Sequence, residues 1–185
     1  MAECMTMAER HSNLPTPLEW RGVRCAPLEP MARFVFRGGV DACRHAGQSM
    51  GLEFPAALRA SVLGARSVLW QGPDEFLILA PDDERLMLGA TLEAALAREP
   101  HALVDVSHRN IAFVIEGERA ALLLATGIML DLAPSAFPVG MTTRTLFGKA
   151  DVTLWRQATD RFHLETWRSI APYVVGLLQA GARVL

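Results

Sequence analysis

The chain has no run of apolar residues long enough to cross a membrane. The longest, Ala120 to Leu130, has eleven residues and a Thr-Gly interruption, where a span needs about 20. Charge of one sign is also missing: 18 basic residues face 20 acidic ones, for a net charge of −2. That excludes a general nucleic-acid binder. Lysine is reduced to Lys149, and the other basic residues are all Arg. Arg is the better fork for carboxylate and phosphate, but a base-composition skew in the gene produces the same bias, and no Arg block forms. The three cysteines, Cys4, Cys25 and Cys43, are odd in number and never spaced as CxxC. A disulfide framework and a structural zinc are therefore not expected, and a reducing cytoplasm is. The N-terminus carries Glu3, Glu9 and Arg10 with no apolar stretch, so no signal peptide is expected.

What is present is apolar bulk. Of 185 residues, 51% are hydrophobic and 21% charged, and the mean hydropathy is +0.20. Global disorder is excluded. The chain suffices for one sizeable domain or two small ones.

Residues 1–32 read as an extended arm. Pro15, Pro17, Pro27 and Pro30 prevent a regular helix and interrupt a central strand. Leu14, Leu18, Trp20, Val23 and Leu28 are spaced among them, so the arm needs a surface, on its own domain or on another chain. Residues 33–107 then read as a first α+β subdomain. A strand over 33–37 precedes a helix over 41–50 capped by Asp41. A hairpin of strands 66–70 and 75–80 follows, turning at Gly72-Pro73-Asp74. A helix over 83–98 and a strand over 102–107 complete the split βαβ order of a ferredoxin-like sheet. Residues 108–185 read as a second such subdomain. It has a strand at 109–117, a helix at 118–127, three strands at 141–147, 151–156 and 161–166, and a helix from Ser169. Crossover handedness puts the helices of each half on one face of a mainly antiparallel sheet. The other faces must meet each other or a partner. An open face predicts self-association of the isolated chain.

Familiar catalytic spacings are absent. There is no GxGxxG, no phosphate-binding loop around Gly148-Lys149, no GxSxG and no HExxH. Ser107 and His108 are neighbours, but adjacent strand residues point to opposite faces. Asp105 and Ser107 therefore read as turn-satisfying groups, with His108 and Arg109 offering charge to a partner or an anionic ligand. His163 and Glu165 share one strand side at i, i+2, which fits an edge contact better than a two-ligand metal site. His45 and His101 have no partner at motif spacing. Asp151 begins a strand and is the one weak general-base candidate. Trp20, Trp70, Trp155 and Trp167 read as core or interface anchors. No cofactor or metal site is expected in this chain.

Several strings occur together in a telling order: Gly72-Pro73-Asp74-Glu75-Phe76-Leu77, LVDVSHR (103–109), LDL (130–132), FPVG (137–140), RT (144–145) and WRSIAPYV (167–174). Over roughly residues 65–178 the chain resembles the gamma subunit of heterotetrameric sarcosine oxidase. One departure is Gly127-Ile128-Met129, where that family often has Gly-Cys-Pro. The resemblance implies a non-catalytic structural subunit. It implies oxidative demethylation of sarcosine by larger alpha and beta subunits holding FAD, FMN, NAD and tetrahydrofolate, with a small delta subunit in the complex. A more distant resemblance, to the aminomethyltransferase (T-protein) family, lies in DVSH (105–108), Gly117-Glu118-Arg119-Ala120 and the strand Asp151 to Arg156. Only one aspartate remains there, after Ala150, and Trp155 replaces a Tyr. It implies the alternative of a stand-alone folate-binding or one-carbon-transfer protein using Asp151. The equivalent subunit of a related N-methylamino-acid dehydrogenase is a third option. Neither nucleic acid nor membrane is expected as a partner.

Overall fold

Alternation of large apolar with polar or smaller side chains makes two sheets, each apolar toward its own helices. The computed structural model describes residues 17–185, so the part of the expected arm before Pro17 lies outside the described residues. The strands are β1 (Leu18–Trp20), β2 (Val23–Pro27), β3 (Met31–Gly38), β4 (Ala60–Leu63), β5 (Arg66–Gly72), β6 (Glu75–Pro81), β7 (His101–Asp105), β8 (Asn110–Glu116), β9 (Thr142–Phe147), β10 (Ala150–Ala158) and β11 (Arg161–Trp167). The helices are α1 (Val40–Met50), α2 (Arg85–Leu96), α3 (Ala120–Ala125) and α4 (Ala171–Ala182). No described helix is long and apolar enough to span a membrane.

The first sheet runs β4-β5-β6-β3-β7 and is antiparallel throughout. Leaving out β4, this is the order of a ferredoxin-like sheet. Phe34, Phe36, Val68, Phe76 and Ile78 turn to one face and bury against Ala42, Ala46 and Met50 of α1 and Leu88, Leu92 and Leu96 of α2. Phe54, from the Pro55-interrupted connection, closes this core with edge-on contacts to Phe36 and Phe76, at centroid distances of 5.1 and 4.9 Å. Such pairs add about 0.5–1.5 kcal/mol beyond their buried area. Gly39, not Asp41, occupies the cap position of α1, and no side chain caps it. Asp41 lies inside the first turn and pairs with Arg44 at 2.8 Å. The connection also contains β4, which the sequence reading does not anticipate. A short 3-10 turn, Asp82–Glu84, leads into α2.

The second sheet runs β1-β2-β8-β11-β10-β9, also antiparallel. Phe113, Ile115, Val152, Leu154, Phe162 and Leu164 face α3 and α4 and form its core with Leu123, Val174 and Leu178.

This arrangement corrects the expected arm. Residues 18–27 are a hairpin of the second sheet, with β2 paired to β8 from Arg24↔Glu116 to Pro27↔Phe113. Pro27 is tolerated because it ends its strand. The surface that the spaced apolar residues require is thus supplied in cis: Val23 and Cys25 are buried, with Leu18 and Trp20 packed beside them.

The two remaining faces cover one another. Leu69, Leu77 and Leu79 of the first sheet pack with Trp155 of the second, giving layers in the order helices, sheet, sheet, helices. Neither inner face is therefore the open surface through which self-association is expected. Along one side the sheets are stitched, with Ala60 N donating to Gly140 O at 3.0 Å and Thr142 N to Leu58 O at 3.1 Å.

Candidate functional site

The layer between the sheets is where polar chemistry collects, because strand alternation delivers it there. On β10, Val152 and Leu154 go to the helices, so Asp151, Thr153 and Trp155 go inward. On β11 the same rule sends His163, Glu165 and Trp167 inward, and on β3 it sends Arg33 and Val35.

The deepest group is a three-residue ionic network. Arg33 Nε donates to Glu165 Oε1 at 2.5 Å, and His163 Nε2 lies 2.9 Å from Glu165 Oε2. All three side chains are almost fully buried. Burial pushes the Glu165 carboxyl up, but the Arg33 charge and the His163 hydrogen bond outweigh it and hold the group below the usual carboxylate range. An ionised carboxylate only accepts, so His163 carries its proton on Nε2. The His163–Glu165 contact expected at a strand edge is real, but β11 lies inside the sheet and the pair is buried. Strand order, a long-range property, puts it there.

Arg33 is also tied to the 105–110 turn. Its backbone N–H donates to Ser107 Oγ at 2.9 Å, and Ser107 N donates to Asp105 Oδ1 at 2.9 Å. The turn role expected of Asp105 and Ser107 is therefore present. Burial raises the Asp105 carboxyl, but hydrogen bonds from Ser107 and Arg85 lower it further, to below its ordinary value.

Beside the network a cleft of about 270 Å³ opens between the sheets. Val35, Leu77 and Val106 line it, with the buried Thr153 and Glu165 and the half-buried Gln71. Thr153 Oγ1 donates to Gln71 Oε1 at 2.8 Å, while Gln71 Nε2 is buried with no acceptor. Asp151 stands at the mouth, half-exposed, 3.1 Å from Arg144 Nη2; Arg144 Nη1 reaches across to Glu75 at 3.4 Å. Arg109 lies at the same cleft, its guanidinium 5.6 Å from the centre of the Trp167 ring.

The structure thus brings together Asp151 and Arg109 from the sequence-based candidates. His108 is exposed in the turn before Arg109 and is not among the residues lining the cleft; its carbonyl accepts from Arg168 Nε at 3.1 Å. Trp70 is on the opposite face of the first sheet, packed against the helix core. Trp20 packs on the core of the second sheet. His45 and His101 do have partners, Glu99 at 3.1 Å and Glu93 at 3.4 Å. Among the described residues, no group of three or more metal-ligating side chains forms.

Two features escape sequence reasoning. Alternation turns Arg33 away from Phe34 and Phe36, but nothing local shows that its face is covered by a second sheet, and Gln71 carries no local signal for its inner position. Arg156 is buried and donates to the carbonyls of Leu132, Phe137 and Thr159 at 3.1, 2.8 and 2.6 Å, stacked 4.9 Å from the Phe162 ring. It pins the loop between α3 and β9.

Comparison with known proteins gives a consistent picture. The model of the sarcosine oxidase, gamma subunit family matches residues 39–183. The sarcosine oxidase subunit gamma of Corynebacterium sp. (strain U-96) is 35% identical over 127 residues, which is 68% of this chain and 61% of that protein. That of Corynebacterium sp. (strain P-1) is 33% identical over 125 residues, again 68% and 61%. The aligned stretch therefore spans 61% of the length of these relatives. Among solved structures, a chain of heterotetrameric sarcosine oxidase from Corynebacterium sp. U-96 superposes with a TM-score of 0.82 at 27% identity, covering 90% of this chain and 86% of its own. Glycine cleavage system aminomethyltransferase T from Bartonella henselae shares the fold, with a TM-score of 0.65 at 14% identity over 85% of this chain and 45% of its own.

Proposed function

The chain belongs to the sarcosine oxidase gamma subunit family, and from that premise we propose that it is a non-catalytic structural subunit of a cytoplasmic sarcosine oxidase complex. Its larger alpha and beta partners hold FAD, FMN, NAD and tetrahydrofolate, and a small delta subunit completes the assembly. The complex demethylates sarcosine to glycine, passes the one-carbon unit to tetrahydrofolate and reduces oxygen to hydrogen peroxide. The observation that carries this reading is the likeness to a chain of heterotetrameric sarcosine oxidase over nine-tenths of this one. The buried charges support it: Arg33, Glu165, His163 and Arg156 are each committed to holding strands or loops in place. Coexpression with the large subunits tests it. This chain is expected to elute with a flavin-containing complex, and the complex without it is expected to be less stable at undiminished intrinsic turnover. Elution of this chain alone overturns the reading.

A second reading has one observation in its favour, the position of Asp151 at the mouth of the inter-sheet cleft. In it the chain itself takes up a folate and transfers a one-carbon unit, with Asp151 as acid–base group. Titration of the isolated chain with tetrahydrofolate decides: micromolar binding lost in Asp151→Asn supports this reading, and no binding removes it.

A further inference from the structure

We propose that the inter-sheet cleft seats a partner polypeptide, which inserts one large apolar side chain and sets a carboxylate against Arg109. This rests on the reading of the chain as a subunit, and adds which face it uses and what the partner presents.

Size is the first argument. At about 270 Å³ the cleft falls below the roughly 300–1,000 Å³ of pockets that enclose small molecules, yet it has room for a single large side chain. Its aliphatic lining of Val35, Leu77 and Val106 suits that guest.

Gln71 is the second. Its Oε1 is taken by Thr153, and its Nε2 remains a buried donor without an acceptor. A main-chain carbonyl of an inserted segment supplies one. Strand β7, at one edge of the first sheet, runs beside the cleft and contributes Val104 to its lining. Its outer edge suits an extended segment.

The rim is the third. Trp167 is 46% exposed and Val104 is 52% exposed. Arg109 is held over the Trp167 ring and bonded to the neutral Asn110 Oδ1 at 3.1 Å. Trp and Arg are the residue types that dominate binding energy at interfaces, and this pair is already ordered. Charge complementarity then picks the partner's chemistry. The nearby carboxylates have cationic neighbours: Asp105 has Arg85 at 2.8 Å, and Asp151 and Glu75 share Arg144. Arg109 differs from Arg144 in that its side-chain hydrogen bond goes to a neutral acceptor, so the group that matches it is an Asp or Glu next to the inserted side chain.

The test uses the coexpressed complex, with the photo-crosslinker benzoylphenylalanine placed at Val104. A control places it at Val40, an exposed residue of α1 remote from this cleft. Val104 is expected to crosslink to an oxidase subunit at least tenfold more than Val40. The pair Arg109→Glu and Trp167→Ala is expected to lower recovery of the complex at least tenfold, with the thermal midpoint of the isolated chain within a few degrees of wild type. A complex that forms without the Val104 crosslink, and that the double variant joins normally, overturns the proposal while leaving the subunit reading intact. A small-molecule adduct in native mass spectra, lost in Gln71→Leu with assembly unchanged, also overturns it. If wild-type chain forms no complex at all, the subunit reading itself fails.

Discussion

Arg33 of β3 and Glu165 of β11, 132 positions apart in the chain, meet at 2.5 Å between the sheets and are almost fully buried there. Taking two charges out of water is costly, and their mutual attraction offsets that cost only while both are present. The pair therefore fixes the register of one sheet on the other more than it adds net stability.

Removing one partner should expose this. Glu165→Gln leaves the Arg33 guanidinium buried without a counter-ion, and is expected to cost about 3–5 kcal/mol. The double variant Arg33→Met with Glu165→Leu is expected to recover most of that loss. Urea midpoints of the three proteins check the prediction. A double variant as unstable as Glu165→Gln would contradict it.

Acid should act through the same residue. The Glu165 carboxyl is held low in the folded state, so the unfolded chain binds its proton first, near pH 4.3. The stability contributed is present above that pH and is lost as pH falls through the folded value. Asp105, also held low, acts in the same direction. The slope of stability against pH below about 4.3 is expected to be smaller in Glu165→Gln than in wild type, by urea titration at stepped pH.

Cys25 gives the opposite limb. Burial in β2 pushes its thiol up to about 12, against a smaller lowering by Arg24. Its contribution is whole below the unfolded thiol value near 8.5 and declines as pH rises from there toward the folded value. Cys25→Ala is expected to flatten the alkaline limb. In timed alkylation read by peptide mass, Cys25 is expected to react only on unfolding, well after the half-buried Cys43.

Gly117 is a backbone position without room. Its φ is +123°, and an added Cβ would lie 2.2 Å from the Gly22 carbonyl oxygen in the β1–β2 turn. Gly117→Ala is expected to cost roughly 1–3 kcal/mol from the conformation alone, and more because main chain must move. The β1–β2 hairpin is expected to lose amide-exchange protection first.

Arg156→Lys should free the loop before β9. A lysine point charge cannot reproduce the planar fork that serves three carbonyls. A loss of about 2 kcal/mol or more is expected from hydrogen bonds to a charged donor. Exchange is expected to rise over residues 132–140, and an unchanged pattern would contradict the role.

What was legible in the chain was local. The alternation Phe34 and Phe36 against Arg33 and Val35, the turn at Gly72-Pro73-Asp74 and the apolar spacing of α2 and α4 indicate the class and most elements. Resemblance over residues 65–178 supplied the family. The inter-sheet layer was not legible because it is set by strand order. Whether Glu165 is at an edge or in the middle depends on β8 pairing with β11, and the place of Trp20 depends on β2 reaching β8. Prolines made residues 18–27 read as an arm, yet Pro27 ends a strand where its missing N–H does no harm. Asp151 and Arg109 carry separate local signals. Only the packing of one sheet on the other shows that they border the same opening.

The pairing of β2 with β8 has a consequence for synthesis. Arg24 leaves the ribosome 92 residues before its partner Glu116. At about 5–20 residues per second, the nascent hairpin waits on the order of 5–20 s with Val23 and Cys25 wetted and its hydrogen-bonding edge open. During that interval the first sheet is completed, so translation itself presents an early window in which chaperone capture, or pairing between neighbouring nascent chains, competes with correct closure.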